Sequence, residues 1–240
     1  PPHLESRFKT KVRWLRENSH VVSLESLFQR SGLDEQRLNV ALTFDDGYKD
    51  SANFAAPVLR DFGLPATFFV PSGAVDSTGE PAEHFVKYGL RRRGSFEFMD
   101  REDIQCLARD PLFEIGGHTT NHTDLGQPSP RINLEKEISE DKSRLEAWAG
   151  KPLRWFAFPF GQFKNVSRQA TEAVREAGYL ASFTIVPSFW TGSQNSYLVG
   201  RDSLSVASSD ALWESWLRGG YDTLSRLKGR SGLRALERQG

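Results

Sequence analysis

The chain has 240 residues, with 31 basic and 31 acidic side chains and therefore a formal net charge of zero. This balance argues against a nucleic-acid-binding module, because such modules usually carry a strongly basic surface. No run approaches the ~20 apolar residues that would span a bilayer. The single cysteine, Cys106, excludes an intrachain disulfide. The length suits one large domain, or one domain with appendages.

We expect Cys106 to pack in the core, because it lies among the apolar residues Ile104, Leu107 and Ala108. The chain begins with Pro1-Pro2 instead of Met. We therefore expect a processed or expressed fragment, and the lack of a visible signal peptide leaves both a cytoplasmic and an extracytoplasmic location open.

The spacing of apolar residues predicts strands and helices that alternate along most of the chain. Asp100 and Ser167 are predicted N-caps, and Gly63, Gly150 and Gly178 mark helix ends. In chain order, the predicted elements are a helix over 5–17, a strand at 21–22, a helix over 23–28, a strand over 39–44, a helix over 51–62 that is irregular at Pro57, a strand over 66–70, a surface excursion over 71–94 that contains His84 and Arg91–Arg93, a helix over 99–108, a strand over 113–116, a helix over 134–149, a strand over 155–158, a helix over 167–177, a strand over 179–186, a final helix from 212, and a charged tail from 228.

Alternating strands and helices predict an α/β fold with a parallel sheet. The six or seven strand–helix units exceed a small flavodoxin-like sheet and fall short of the eight of a full barrel. Periodicity alone does not distinguish a barrel from an open, doubly wound sheet.

Two adjacent carboxylates, Asp45 and Asp46, end the predicted strand over 39–44, and Gly47 follows them. In α/β folds, ligands and catalytic groups gather at the carboxyl ends of the strands. Because Asp-Gly is also a common turn dipeptide, the pair does not by itself establish a site.

Two imidazoles, His118 and His122, lie four residues apart and follow another predicted strand. They can share one face of a helical turn, and Gly116 and Gly117 before them would allow a close backbone approach. With Asp46 they would form a two-histidine, one-carboxylate set, which suits zinc and also cobalt, nickel or iron. Two surface histidines are the alternative interpretation.

If Asp46 holds a metal, its neighbour Asp45 is free to act as a general base that takes a proton from water. The oxyanion formed by that attack needs a further hydrogen-bond donor. Phe160 and Gly161, at the end of an aromatic strand, are candidates to bring a backbone N–H close to the substrate.

Three segments in this order resemble the polysaccharide deacetylase family, the NodB-homology enzymes of carbohydrate esterase family 4. Two further segments are similar to the family in order and spacing, and the resemblance covers roughly residues 20–206. The three motifs are Thr43–Gly47, His118–His122 and Phe156–Gly161, and the two further segments are Pro65–Val70 and Glu114–His118.

The resemblance implies a distorted (β/α) barrel of about seven parallel strands. It implies a divalent metal, with zinc first among the candidates, on Asp46, His118 and His122, with Asp45 as base and the Phe160 N–H as oxyanion donor. It also implies hydrolysis of the N-acetyl group of a GlcNAc-type sugar in a glycan. The resemblance does not identify the glycan, which could be peptidoglycan, exopolysaccharide, O-antigen or chitin.

The expected organisation has three parts: an N-terminal helical lead-in over 1–36, a catalytic domain over 37–206 and a C-terminal helical extension over 207–240. Expected substrate contacts include aromatic residues, because sugar rings present apolar faces that stack on aromatic side chains. The expected substrate-binding residues are Tyr48, Pro159, Gly161, Trp190 and Arg201.

The chain departs from the family pattern at three places. Many members carry a base-orienting arginine where this chain has Ala157, often together with an aspartate in the fourth motif, and after Tyr179 this chain has none before Asp202. The fifth motif normally supplies a histidine that protonates the leaving amine, whereas the segment 199–204 has Arg201 and no histidine. Proton donation would then fall to protonated Asp45 or to water.

These departures keep two alternative functions open. One is a metal-containing carbohydrate-binding homologue with little or no catalysis. The other is hydrolysis of an O-acetyl ester or of a different amide.

Overall fold

The computed structural model describes residues 2–75, 97–127 and 132–219. His84, Arg91–Arg93 and the charged tail from 228, all named above, lie outside the described residues. The strands of the described part are β1 (His20–Val21), β2 (Asn39–Val40), β3 (Leu42–Phe44), β4 (Ala66–Val70), β5 (Phe113–Gly117), β6 (Trp155–Ala157) and β7 (Ala181–Phe183).

All strand pairs are parallel, and they form a two-stranded sheet, β1-β2, and a five-stranded sheet in the order β3-β4-β5-β6-β7. The single strand predicted over 39–44 is thus split at Ala41, because its first half pairs with β1 and its second half with β4. A bridge between Phe183 and Val199 extends the parallel pairing beyond β7. The five-stranded sheet curls into a half-barrel, which confirms the predicted α/β barrel class.

Helices connect the strands, and none in the described part is long and apolar enough to cross a membrane. Two of them begin with a π-helical turn: Ser51–Ala55 precedes α3 (Ala56–Phe62), and Glu135–Glu140 precedes α5 (Asp141–Ala149). Pro57 is the second residue of α3, which directly follows the π-helical turn, so the irregularity expected at Pro57 falls where the helix changes from π to α geometry. The helices are α1 (Pro2–Asn18), α2 (Leu24–Gln29), α3 (Ala56–Phe62), α4 (Arg101–Arg109), α5 (Asp141–Ala149), α6 (Arg168–Glu176) and α7 (Asp210–Leu217), with short 3-10 turns at Ser72–Ala74 and Phe163–Asn165.

The helix boundaries follow the predicted caps. Asp100 and Asp103 form a capping box at the start of α4, with each side chain accepting the other's backbone N–H at 2.9 Å. Gly63 and Gly150 end α3 and α5 in the left-handed region, at φ 66° and 69°.

Ser167 is the buried N-cap of α6, and its hydroxyl accepts the N–H of Ala170 at 3.2 Å. We expect Ser167→Ala to lower the free energy of unfolding by about 1 kcal/mol, because the Ala170 N–H in the first turn of the helix would lose its side-chain acceptor. Chemical denaturation of both proteins measures this difference. Ser143→Ala, on an exposed face of α5, is the control and should change stability much less.

The two faces of the sheet pack against different partners because neighbouring side chains on a strand point to opposite sides. Phe68 and Phe156 belong to the cluster that packs on the surrounding helices. Phe69, Trp155 and Phe183 face the inside of the curled sheet. Phe28 of α2 covers this inner face, with its ring 5.1 Å from that of Trp155.

Two further sequence expectations are corrected by the structure. Cys106 is exposed rather than packed in the core. On α4 it lies about 200° around the helix from Ile104, whereas Ile104, Leu107 and Ala108 share the buried face. The strand expected over 179–186 is limited to β7, because the Ile185 N–H instead donates to the Gly161 carbonyl at 2.8 Å.

Candidate active site

The predicted site residues come together at the carboxyl ends of strands of the five-stranded sheet. Asp45 and Asp46 directly follow β3, His118 follows β5 and Phe160 lies just beyond β6. These strands belong to one parallel sheet, in which β4 lies between β3 and β5, so their carboxyl ends meet at the same edge of the sheet.

Asp46, His118 and His122 form a compact group in which all potential ligand atoms lie within 4.8 Å of one another. Oδ1 of Asp46 is 3.3 Å from Nε2 of His118 and 3.2 Å from Nε2 of His122. Both histidines are buried, while Asp46 is partly exposed. The group therefore offers two imidazole nitrogens and one carboxylate oxygen around one point with access from one side, as a catalytic cation requires.

The hydrogen bonds of the histidines fit a metal-binding role. Nδ1 of His118 lies 2.7 Å from the Ala157 carbonyl, to which only a protonated nitrogen can donate. With Nδ1 held in this way, a neutral His118 ring would offer Nε2 to a cation, as in metal sites where the second ring nitrogen is held by a carbonyl. The ring of His122 packs edge-on against Phe160, with centroids 4.8 Å apart.

The two histidines do not lie on a helical turn, which corrects the expectation from their spacing. Residues 118–123 form an irregular loop in which Thr119 and His122 have positive φ, 62° and 53°. Gly117 allows the close approach expected of it, since a Cβ there would lie 2.1 Å from Oη of Tyr179 and 3.0 Å from Oδ2 of Asp141.

Burial and neighbouring groups shift the pKa values of the ionisable side chains at the site. Burial alone would raise the pKa of Asp46, but hydrogen bonds from His118 and His122 outweigh it and hold that pKa well below its usual range. Burial lowers the pKa of His122 and so favours its neutral, metal-binding form. Burial raises the pKa of Asp141 to about 7, although its carboxylate accepts the N–H groups of Ser72 and His118.

Arg201 forms a bidentate pair with Asp45, with Nη1–Oδ1 and Nη2–Oδ2 distances of 2.8 and 2.7 Å. The same guanidinium donates to Oγ1 of Thr43 at 2.9 Å and to the Thr184 carbonyl at 3.2 Å. Burial would raise the pKa of Asp45, but the Arg201 charge outweighs it and lowers that pKa below its usual value. An arginine distant in sequence thus contacts Asp45 in a chain that has Ala157 at the usual arginine position.

The sequence predicts Arg201 near the site, but as a substrate-binding residue. The pairing with Asp45 was missed because 156 residues separate the two partners. The one available signal was the absence of an arginine at Ala157, which leaves Asp45 in need of another cation.

Phe160 adopts the left-handed conformation, at φ 61°, in the turn after β6. Among the described residues, its backbone N–H has no hydrogen-bond acceptor, so it is available to a ligand. Pro159 and Gly161 on either side are buried and shape this turn. A Cβ on Gly161, also at positive φ, would lie 2.8 Å from the Ile185 nitrogen.

The two aromatic candidates lie in different surroundings. Tyr48, three residues after Asp45, stacks on Phe98 with a centroid distance of 5.6 Å. Trp190 stacks on Phe28 at 4.7 Å and lines a cavity of about 540 Å³. Arg201 also lines that cavity, but the candidate base and the candidate metal-binding residues do not, so the cavity does not bring Trp190 together with Asp46, His118 and His122.

No third histidine approaches the group within the described part of the chain. His20, on β1, instead has its ring nitrogen 2.9 Å from the Gly32 carbonyl. The acid that the family's fifth motif normally supplies is therefore absent from the described residues around Asp45.

A family model described as polysaccharide deacetylase matches residues 34–181, more than half of the chain. The poly-beta-1,6-N-acetyl-D-glucosamine N-deacetylase of Escherichia coli is 32% identical over 218 residues, which cover 79% of this chain and 32% of that protein. The protein of the same name from Staphylococcus aureus is 20% identical over 221 residues, covering 88% of this chain and 71% of the relative. The chain thus spans about a third of the length of the Escherichia coli protein.

Solved structures show the same fold. IcaB from Ammonifex degensii aligns with a TM-score of 0.66 and 22% identity, covering 89% of this chain and 88% of that one. A polysaccharide deacetylase from Bacillus cereus aligns with a TM-score of 0.70 and 21% identity, covering 89% and 61%. With the family model matched across β3, β4, β5 and β6, the chain belongs to the polysaccharide deacetylase family.

Proposed function

We propose that the protein is a metal-dependent deacetylase that hydrolyses the N-acetyl groups of GlcNAc-type sugars in a polysaccharide or oligosaccharide. The observation that carries this proposal is the compact group of Asp46, His118 and His122 beside the paired carboxylate Asp45. The names of the relatives, which specify an N-acetylglucosamine polymer, support the substrate class.

We propose zinc as the cation, since two imidazoles and one carboxylate suit zinc and also accept cobalt, nickel or iron. Asp46, His118 and His122 would hold it. A bound divalent cation would polarise the amide carbonyl and lower the pKa of the attacking water.

In this proposal Asp45 is the general base. Arg201 holds both of its oxygens and keeps it ionised, so that one oxygen can take the proton of the attacking water. Water oxygen bonds to the acetyl carbon, and the carbonyl oxygen becomes an oxyanion to which the Phe160 N–H donates. The backbone donor is held in place by the buried turn around it.

The same carboxyl group then has a second task. Protonated Asp45 gives its proton to the sugar nitrogen as the C–N bond breaks, and acetate and a free amine are released. Arg201 cannot serve as this acid, because a guanidinium does not give up a proton in proteins. We therefore propose that Asp45 acts first as base and then as acid.

Acetate release from a panel of N-acetylated oligosaccharides tests the proposed function, using protein loaded with zinc or cobalt. We expect acetate in proportion to bound metal. Sugar binding without acetate would instead favour the carbohydrate-binding alternative that the missing histidine motivates. Release from O-acetylated sugars alone would favour esterase activity.

Removing the charge of Arg201 should move the pH profile of the reaction. Asp45 must be ionised to act as base, and its pKa is held down by Arg201 against the effect of burial. In Arg201→Met that pKa rises, so activity is lost at a higher pH as the solution is acidified. We expect the acidic limb of kcat/KM to shift to higher pH, with a larger loss at pH 6 than at pH 8.

Arg201→Lys is the matched control for this experiment. Lysine keeps the charge but not the bidentate geometry, so its acidic limb should lie between those of the wild type and Arg201→Met. An unchanged limb in Arg201→Met would contradict the assignment of Asp45 as base.

We also propose the three-part organisation expected above, with the catalytic domain over 37–206. The two flanking parts contact each other in the described residues. Lys11 of α1 forms an ion pair with Asp210 of α7 and lies over the ring of Trp213 at 5.1 Å. These contacts support a lead-in and an extension that pack together beside the barrel.

A further inference from the structure

Two buried carboxylates from one segment hold the loop of residues 118–123, which carries both histidines. Glu137 lies in the π-helical turn before α5, and Asp141 is the first residue of α5. Their spacing of four residues brings both side chains to the same side of the segment. Glu137 is 7% exposed and Asp141 is fully buried, so each carboxylate depends on protein donors rather than water.

Glu137 binds the middle of this loop through three hydrogen bonds. Its Oε2 accepts the Asn121 N–H at 3.0 Å, and its Oε1 accepts the Asn121 side-chain amide at 2.7 Å. Its backbone carbonyl accepts the Thr120 N–H at 3.0 Å. Asp141 holds the start of the loop, with Oδ2 accepting the His118 N–H at 3.2 Å.

The loop needs such support because of its backbone conformation. Thr119 and His122 both have positive φ, a region that is unfavourable for residues with a Cβ. Residues in such conformations persist only where the surrounding structure fixes them. Asn121 lies between these two residues, and the Glu137 carboxylate is the charged group that holds it.

We infer that Glu137 is a positioning residue for the candidate metal site, acting through Asn121 to set the separation and orientation of His118 and His122. This inference rests on the proposed function, because it presumes that the two histidines bind a cation. The carboxylate charge matters, since a glutamine would offer one acceptor oxygen and turn an NH₂ group towards a second donor.

Zinc affinity of the full chain, measured by competition with a chromophoric chelator, tests the inference. We expect Glu137→Gln to bind zinc roughly 10- to 100-fold more weakly, the range found for residues that support metal ligands. Glu140→Gln is the matched control, because Glu140 lies in the same turn but is exposed and pairs with Arg144. Its zinc affinity should equal that of the wild type.

The visible spectrum of the cobalt-loaded protein gives a second readout that a purely structural role would not move. We expect its bands to shift in Glu137→Gln, because the histidine geometry around the ion changes. Asn121→Ala, which removes only the 2.7 Å bond, should change affinity and spectrum in the same direction by less. This variant keeps the inference testable if Glu137→Gln does not fold.

The outcomes separate this inference from the proposed function. The positioning role is overturned if Glu137→Gln has the zinc affinity and the cobalt spectrum of the wild type. If Glu137→Gln does not fold, the same result in Asn121→Ala overturns it. An equal loss of zinc affinity in Glu140→Gln would also overturn it. If the wild type releases no acetate but the affinity difference persists, the positioning role stands and the deacetylase proposal fails. A wild-type protein that binds no zinc overturns both.

Discussion

Asp45→Asn should retain bound metal and lose acetate release by a factor on the order of 10² to 10⁴, the contribution typical of a general acid–base group. The amide cannot take the proton of the attacking water, whereas Asp46, His118 and His122 are unchanged. Metal content per chain and acetate release, measured on the same preparation, check this result.

Asp50→Asn is the matched control, because Asp50 is an exposed carboxylate in the segment that follows Asp45. It should leave both quantities unchanged. Thermal unfolding of each variant should accompany the assay, since Arg201 loses its charged partner in Asp45→Asn. A folded Asp45→Asn protein with full activity would show that another group is the base.

His122→Asn should remove the metal together with the activity. Asparagine tolerates positive φ better than most residues and so preserves the loop at φ 53°, but it supplies no imidazole. With only Asp46 and His118 left, we expect zinc affinity to fall by more than the roughly 10- to 100-fold typical of a supporting residue. Metal analysis after dialysis, and acetate release with and without added zinc, measure the effect.

A chelator provides the complementary experiment on the wild-type protein. Removal of the metal should abolish acetate release, and added zinc should restore it.

His20→Asn is a suitable control for His122→Asn, because His20 contacts the Gly32 carbonyl and not the candidate metal group. Equal zinc content in His122→Asn and the wild type would rule out His122 as a ligand.

Much of the fold could be predicted because its signals are local in sequence. Strand β4 agrees with its predicted bounds, and the N-caps Asp100 and Ser167 were read from a few neighbouring residues. The split at Ala41 and the exposure of Cys106 could not be read in this way. They depend on which strand or helix face meets which partner, and that is decided by packing.

The candidate site, like the fold, could be predicted from the sequence only in part. The proposed ligand set of Asp46, His118 and His122 and the proposed base Asp45 were identified from short motifs, whose residue types and spacing follow from the chemistry of a metal and a base. Trp190 stays a prediction as a substrate-binding residue, and its stacking on Phe28 could not be predicted from a motif because the two residues are remote in sequence.

The amino-acid sequence by itself determined the alternation of strands and helices, their caps and the residues that bring chemistry to the strand ends. Only the tertiary structure decided how those residues are held. Asp45 is held by Arg201, which is 156 residues away in the sequence, and the loop of residues 118–123 is held by Glu137 and Asp141. The physical reason is that a motif is a local pattern of residue types. The partner of a buried charge is whichever group the folded chain brings within hydrogen-bond distance.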